Sequence, residues 1–205
     1  PSASISLEPF PMYSKRSTRI TRSVALLLTL AVVDRTCTFS DHGDAKLRFK
    51  ITLPEVLIAQ KAWWDALVSI SRTYEAEGLA AAKARAEQVI DEAYGYNYGP
   101  VLLKPTLAGG SQTFRTTREG ALAYLVGGDK AFPDDEGLAL KGWRQVEVVN
   151  SAIFREGNIA IVLGNVFLTD KTGTVTVMDK TWAFFKGNDR KLRIVALHSS
   201  LPYQG

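Results

Sequence analysis

Three side chains able to move a proton or orient a small molecule stand in a row near the C-terminus: His198, Ser199 and Ser200. They close a β-rich run that starts at Lys191, and Pro202 stops it, because proline cannot donate to a sheet ladder. An imidazole titrates near neutral pH, which makes His198 the natural proton carrier. It is the only histidine inside the expected fold, since His42 lies ahead of it. The competing reading is a structural histidine bonded to backbone or to a neighbouring chain. For Ser199 and Ser200 the plain reading is strand-end hydroxyls that satisfy backbone groups. No Asp or Glu stands beside them, so a Ser-His-Asp triad has no support here. Alternation along a strand sorts the rest. Arg193, Val195, Leu197 and Ser199 are expected on one face, and Leu192, Ile194, Ala196 and His198 on the other. A regular strand then sends only one of His198 and Ser199 into a pocket; a bulge near the end is needed to bring in both. Two further hydroxyls, Thr106 and Tyr124, lie on segments expected to cover the mouth of that pocket.

The counts exclude several chemistries. The chain has one cysteine, Cys37, and two histidines. No intramolecular disulfide can form, and the thiol reads as a bystander. A three-His or Cys2His zinc site cannot be assembled from one chain. Asp/Glu sites for harder cations are not excluded by counting. The Gly-Gly pairs match no phosphate-binding loop or dinucleotide fingerprint. Net charge is +4, and much of it lies in Lys15, Arg16, Arg19 and Arg22, so there is no case for nucleic acid. At 205 residues, 46% hydrophobic and 22% charged, the composition suits one soluble domain with a core of useful size.

The elements that must position these residues follow in order. Residues 1–50 read as a leader and linker. The leader is basic, Ser/Thr-rich and nearly free of acids, and it precedes a short apolar run, Val24 to Val33. That run is too short for a membrane span, which needs about 20 residues. The pattern resembles a targeting sequence. A transit peptide implies a plastid (chloroplast) location, with bacterial export to the periplasm as the alternative. Leu53-Pro54-Glu55 opens a helix, Pro54 sitting where its missing N–H is harmless. Val56, Ala59, Trp63, Ala66, Leu67 and Ile70 keep helical spacing. Gly78 breaks the pattern, and Leu79 to Tyr94 is a second helix. Tyr94-Gly-Tyr-Asn-Tyr-Gly-Pro100 is a turn. It leads into a short strand over Val101 to Thr106. Thr113 to Thr117 is β-prone, and Thr117 caps a helix from Arg118 to about Val126. From Trp143 onward four strands are expected, Gln145 to Phe154, Asn158 to Thr169, Thr174 to Lys186 and Lys191 to Ser200, joined by hairpin-like turns. A long helix followed by such a meander is an α+β layout in which a curved antiparallel sheet wraps the helix around a cone-shaped cavity.

Four stretches together resemble the iota class of carbonic anhydrases. They are Tyr96-Asn-Tyr-Gly-Pro-Val-Leu-Leu-Lys-Pro-Thr106, Phe114 to Gly128, Gly164-Asn-Val-Phe-Leu-Thr-Asp170, and Leu192 to Pro202. That family has an NTF2-like, cystatin-like fold, similar to the association domain of calcium/calmodulin-dependent kinase II. The resemblance covers roughly residues 54 to 203 and assigns residues 51–205 to one such domain. The family's closing motif often reads His-His-Ser-Ser-x-Pro, and here its first position is Leu197. With one candidate histidine left, the sequence points to the metal-free kind, with no cofactor.

What the resemblance implies is reversible hydration of CO2 to bicarbonate. It implies Thr106, Tyr124 and Ser199 as the substrate-binding hydroxyls, with His198 or solvent carrying the proton. A homodimer is expected, because exposed sheet in this fold commonly pairs. Two other readings stay open on the residues alone. One is a non-catalytic oligomerisation or small-ligand module of the kinase-association type. The other is an isomerase or dehydratase of the same cone-shaped fold, for which Glu147 and Asp179 are the available bases.

Overall fold

Thr52 and Pro54 set the start of the first helix. The structure, a computed structural model, describes residues 50–204. The expected leader, Cys37 and His42 lie outside the described residues. Helix α1 spans Leu53–Glu77. Thr52 caps it reciprocally: the Glu55 amide donates to Thr52 Oγ1 at 3.4 Å, and the Thr52 amide donates to Glu55 Oε2 at 2.8 Å. Lys186, at the end of the fourth strand, donates from Nζ to Glu55 Oε1 at 2.6 Å, tying the helix start to the sheet. Burial pushes the Glu55 carboxyl up, but the Lys186 ammonium and the Thr52 bonds together hold it below its ordinary value. Thr52→Ala is expected to cost about 1 kcal/mol of stability, read by urea denaturation.

Val56, Trp63, Leu67 and Ile70 are buried along α1, the stripe that the helical spacing predicts. Gly78, at φ +85°, turns the chain into α2, Leu79–Ala93. Strand β1 is only Leu102–Lys104. Helix α3, Arg118–Val126, starts where Thr117 Oγ1 accepts from the Gly120 amide at 3.2 Å. The strands β2 (Trp143–Glu156), β3 (Ile159–Asp170), β4 (Val175–Lys186) and β5 (Leu192–Ser200) follow. They pair antiparallel in sequence order, and β1 adds in parallel beside β5. Among the described residues the sheet therefore has five strands, against four main ones expected. No strand forms over Thr113 to Thr117. A 3-10 turn at Gly110–Gln112 swings the chain away, and the ladder-like bond that remains is Arg115 N–H to Leu103 O, 2.8 Å.

The inner face of the sheet follows the two-residue period. Val162, Val166 and Leu168 on β3, and Met178, Lys180, Trp182 and Phe184 on β4, all point in and are buried. Helix α1 covers them. Trp64 meets Trp182 edge-on, with centroids 5.9 Å apart, and each such aromatic supplies a large buried apolar area. On β5 the period slips. Ala183 pairs with Ala196 but Phe184 pairs with Ile194, so Val195 is an extra residue in a bulge. Ile194, Leu197 and Ser199 are the buried residues as a result. The expected faces, Ile194 with His198 and Val195 with Ser199, are thus corrected by that one added residue.

Candidate active site

Ser199 is 1% exposed and sits near the end of β5, pointing in. Thr106 follows β1, whose parallel pairing with β5 carries it alongside. The two hydroxyls are 2.5 Å apart. Thr106 Oγ1 also lies 3.3 Å from Met178 Sδ, to which it can donate. The cluster therefore has two proton arrangements. When Thr106 donates to sulfur, Ser199 donates to Thr106 and offers lone pairs to the cavity. When Thr106 donates to Ser199, the Ser199 proton is free to point into the cavity. Lys104 Nζ donates to Ser199 O at 2.9 Å and fixes the strand end.

Tyr124 reaches the same cavity from α3. Its Oη is buried and makes no hydrogen bond among the described residues. Burial pushes the phenol up, opposed by the polarity of the nearby Thr106 hydroxyl and the Thr106 and Leu107 backbone, which fall short of hydrogen-bond geometry. An unpartnered buried hydroxyl beside two partnered ones is a place for a polar ligand. Trp63, Leu103, Leu125 and Leu197 complete the walls. The space open to the centre of a water-sized sphere is about 10 Å3, at the threshold for one water. Such a cavity excludes an extended ligand. A larger cleft of about 860 Å3 lies between α1 and β2, but it is open and lined by long charged side chains such as Lys61, Asp65 and Arg72.

The structure brings Thr106, Tyr124 and Ser199 together and leaves His198 out. His198 is exposed on the outer face of the sheet, over a shallow groove shared with Asn165, Asp179 and Thr181. The two carboxylates weighed as bases are outside as well. Asp179 accepts from Asn165 Nδ2 at 2.7 Å on that outer face, and Glu147 is exposed on β2. Among the described residues, no three His, Cys, Asp or Glu side chains converge on a metal position.

Two cavity residues do not stand out from the sequence. Tyr94, at the end of α2, accepts from Trp63 Nε1 at 3.1 Å and forms part of the wall. Lys180 is 5% exposed and lines the same cavity. Lys180 does carry a signal: it interrupts the apolar row Met178, Trp182, Phe184 on the inward face of β4. Gly164 lies across the ladder from Lys180. A Cβ at Gly164 would come within 2.5 Å of Val149 O, so glycine is needed there for β2 to approach at its own bulge beside Asn150.

A mostly apolar cavity with a few convergent hydroxyls, set between helices and the sheet of an NTF2-like α+β domain, defines a small-molecule site. Comparison with known proteins makes this specific. The sequence matches the family of metal-independent carbonic anhydrases over residues 54–201. A metal-independent carbonic anhydrase from Nostoc sp. is 56% identical over 192 residues, covering 89% of this chain and 93% of that one. A cyanobacterial iota-carbonic anhydrase, solved in complex with bicarbonate, is 63% identical with a TM-score of 0.75, covering 76% of this chain and 95% of that one. The chain belongs to the metal-independent carbonic anhydrase family.

Proposed function

We propose that this carbonic anhydrase hydrates CO2 in the cavity of Thr106, Tyr124 and Ser199. The observation that carries the placement is the 2.5 Å contact of Thr106 and Ser199 inside a small, mostly apolar cavity that Tyr124 also lines. The cyanobacterial relative was solved with bicarbonate, a small anion whose oxygens the three hydroxyls can hydrogen-bond. CO2 is apolar and packs against Leu103, Leu125 and Leu197. Water is held by the hydroxyls with its lone pair towards carbon. As the O–C bond forms, one π pair of CO2 moves to an oxygen, and negative charge grows there. Ser199 and Tyr124 O–H groups aimed at that oxygen stabilise it, and preorganised donors are worth more in a water-excluded site than in bulk. Nothing in this arrangement uses a bound metal.

Thr106→Val, Tyr124→Phe and Ser199→Ala should each lower kcat/KM for CO2 hydration in stopped flow by about 10²–10³, the usual cost of one lost donor, with the melting transition kept. Full activity in all three variants would move the reaction elsewhere. The reading extends to a homodimer. Val149, Ile161 and Leu163 expose apolar surface on the outer face of the sheet, a surface that pairing would cover. Sedimentation velocity tests this, and a monomer at micromolar concentration would rule it out.

A further inference from the structure

Hydration of CO2 releases one proton, and the hydroxyl cluster has nowhere to keep it. Serine and threonine hydroxyls are poor bases, and burial pushes both cavity phenols, Tyr94 and Tyr124, upward. His198 is on the wrong face. Among the described residues, Lys180 is the one amine that lines the cavity. It stands directly opposite Ser199 in the β4–β5 register, so the two side chains leave the same face about 5 Å apart at Cβ.

The surroundings of Lys180 hold no counter-ion among the described residues. From α1, Trp64 and Trp63 present their rings, with centroids 5.3 and 5.8 Å from Nζ. From β3 comes Gly164, and from β5 come Ser199 and Leu197. From α3 and the end of α2 come Tyr124 and Tyr94, the only other titratable groups in the lining. No carboxylate or second cation is among the lining residues. Among the described residues, Lys180 takes part in no ion pair. A structural lysine at a buried position is normally paired; this one is set against two indoles and lines the same cavity as the hydroxyls.

We propose that Lys180 is the proton acceptor of the hydration step. The neutral Nζ lone pair takes a proton from the attacking water while the water oxygen bonds to carbon and a CO2 π pair moves to oxygen. Water, CO2 and amine become bicarbonate and ammonium, and the ammonium then releases its proton to solvent. The dehydration direction runs the same step backwards, with the ammonium as donor. Burial lowers the Lys180 ammonium to about 7, so both forms are present at neutral pH, the condition under which an acid–base group works best. This inference rests on placing the reaction at the Thr106, Tyr124 and Ser199 cluster.

The test compares Lys180→Met and Lys180→Arg with the wild type and with Ser199→Ala. CO2 hydration and bicarbonate dehydration are measured from pH 6 to 9, together with an NMR titration of 13Cε-labelled lysines. In the wild type, kcat/KM for hydration should rise through about pH 7 and that for dehydration should fall. One lysine resonance, absent from Lys180→Met, should titrate in the same range. Both Lys180 variants should lose about 10²-fold or more in kcat, with KM little changed and the limb near neutral pH gone. Arginine keeps the charge but cannot accept the proton. Wild-type activity in Lys180→Arg, or an unchanged pH profile in Lys180→Met, would overturn the proposal. If Ser199→Ala is inactive in that case, the site itself still stands; if Ser199→Ala is fully active, the placement of the reaction has failed.

Discussion

Asp135→Ala should destabilise the domain by about 3–5 kcal/mol, the usual result of leaving a buried charge without its partner. Asp135 accepts from Arg115 Nη2 with both carboxylate oxygens, at 3.0 and 3.1 Å. The two side chains are 2% and 6% exposed, so solvent cannot take the place of either partner. Arg115 is further committed, with its guanidinium 4.6 Å from the Phe132 centroid and its Nε and Nη1 buried without partners among the described residues. The pair clamps the segment after β1 to the loop that follows α3, and these two segments flank Thr106 and Tyr124. Loss of the carboxylate should therefore lower activity as well as stability. Urea denaturation gives the stability change. The double variant Arg115→Met with Asp135→Leu should recover most of it, since replacing a buried pair with apolar groups is often neutral. A single variant as stable as the wild type would show that the ion pair contributes nothing.

Lys180→Met should do the opposite and raise stability, by an amount that depends on pH. The unfolded lysine titrates at about 10.4, and the folded one at about 7. Between these values the unfolded chain holds a proton that the native protein lacks, so wild-type stability rises with pH across that window. Below about pH 7 both states are protonated and the full cost of burying the ammonium is present. The variant is free of that cost. Its advantage should reach up to about 5 kcal/mol at pH 6 and shrink towards zero near pH 10, since each tenfold loss of proton affinity on folding costs about 1.4 kcal/mol. Thermal and urea melts at pH 6, 8 and 10 check this. A constant difference across the range would mean that Lys180 is protonated throughout. Paired with the expected loss of activity, a gain in stability would mark Lys180 as held in place at the expense of the fold.

Most of the architecture was legible because local signals and tertiary structure agree. Pro54 at the helix start, the Trp63–Leu67–Ile70 stripe and the β-branched runs from Trp143 onward each fix their element without outside help. What was not legible depends on contacts distant in sequence. The short strand over Val101 to Thr106 was expected, but not its parallel pairing with β5, and Thr113 to Thr117, of similar β-propensity, has no such edge. The site residues were named through family resemblance; alternation alone left His198 and Ser199 undecided. Lys180 was visible as a lone charge in an apolar row, but an inward row on one strand shows its meaning only once the facing strand and α1 are in place.

The extra residue at Val195 also bears on how this site can change over time. Counting in twos from the buried Ile194 along an unbroken strand arrives at His198, not Ser199. The bulge at Val195 thus decides whether Ser199 or His198 faces the cavity at this strand length. Deleting Val195 would leave Leu197 and Ser199 inward on a regular strand, whereas straightening β5 at its present length would turn His198 inward. The reagent that faces the substrate is chosen by where the strand bulges as much as by its letters.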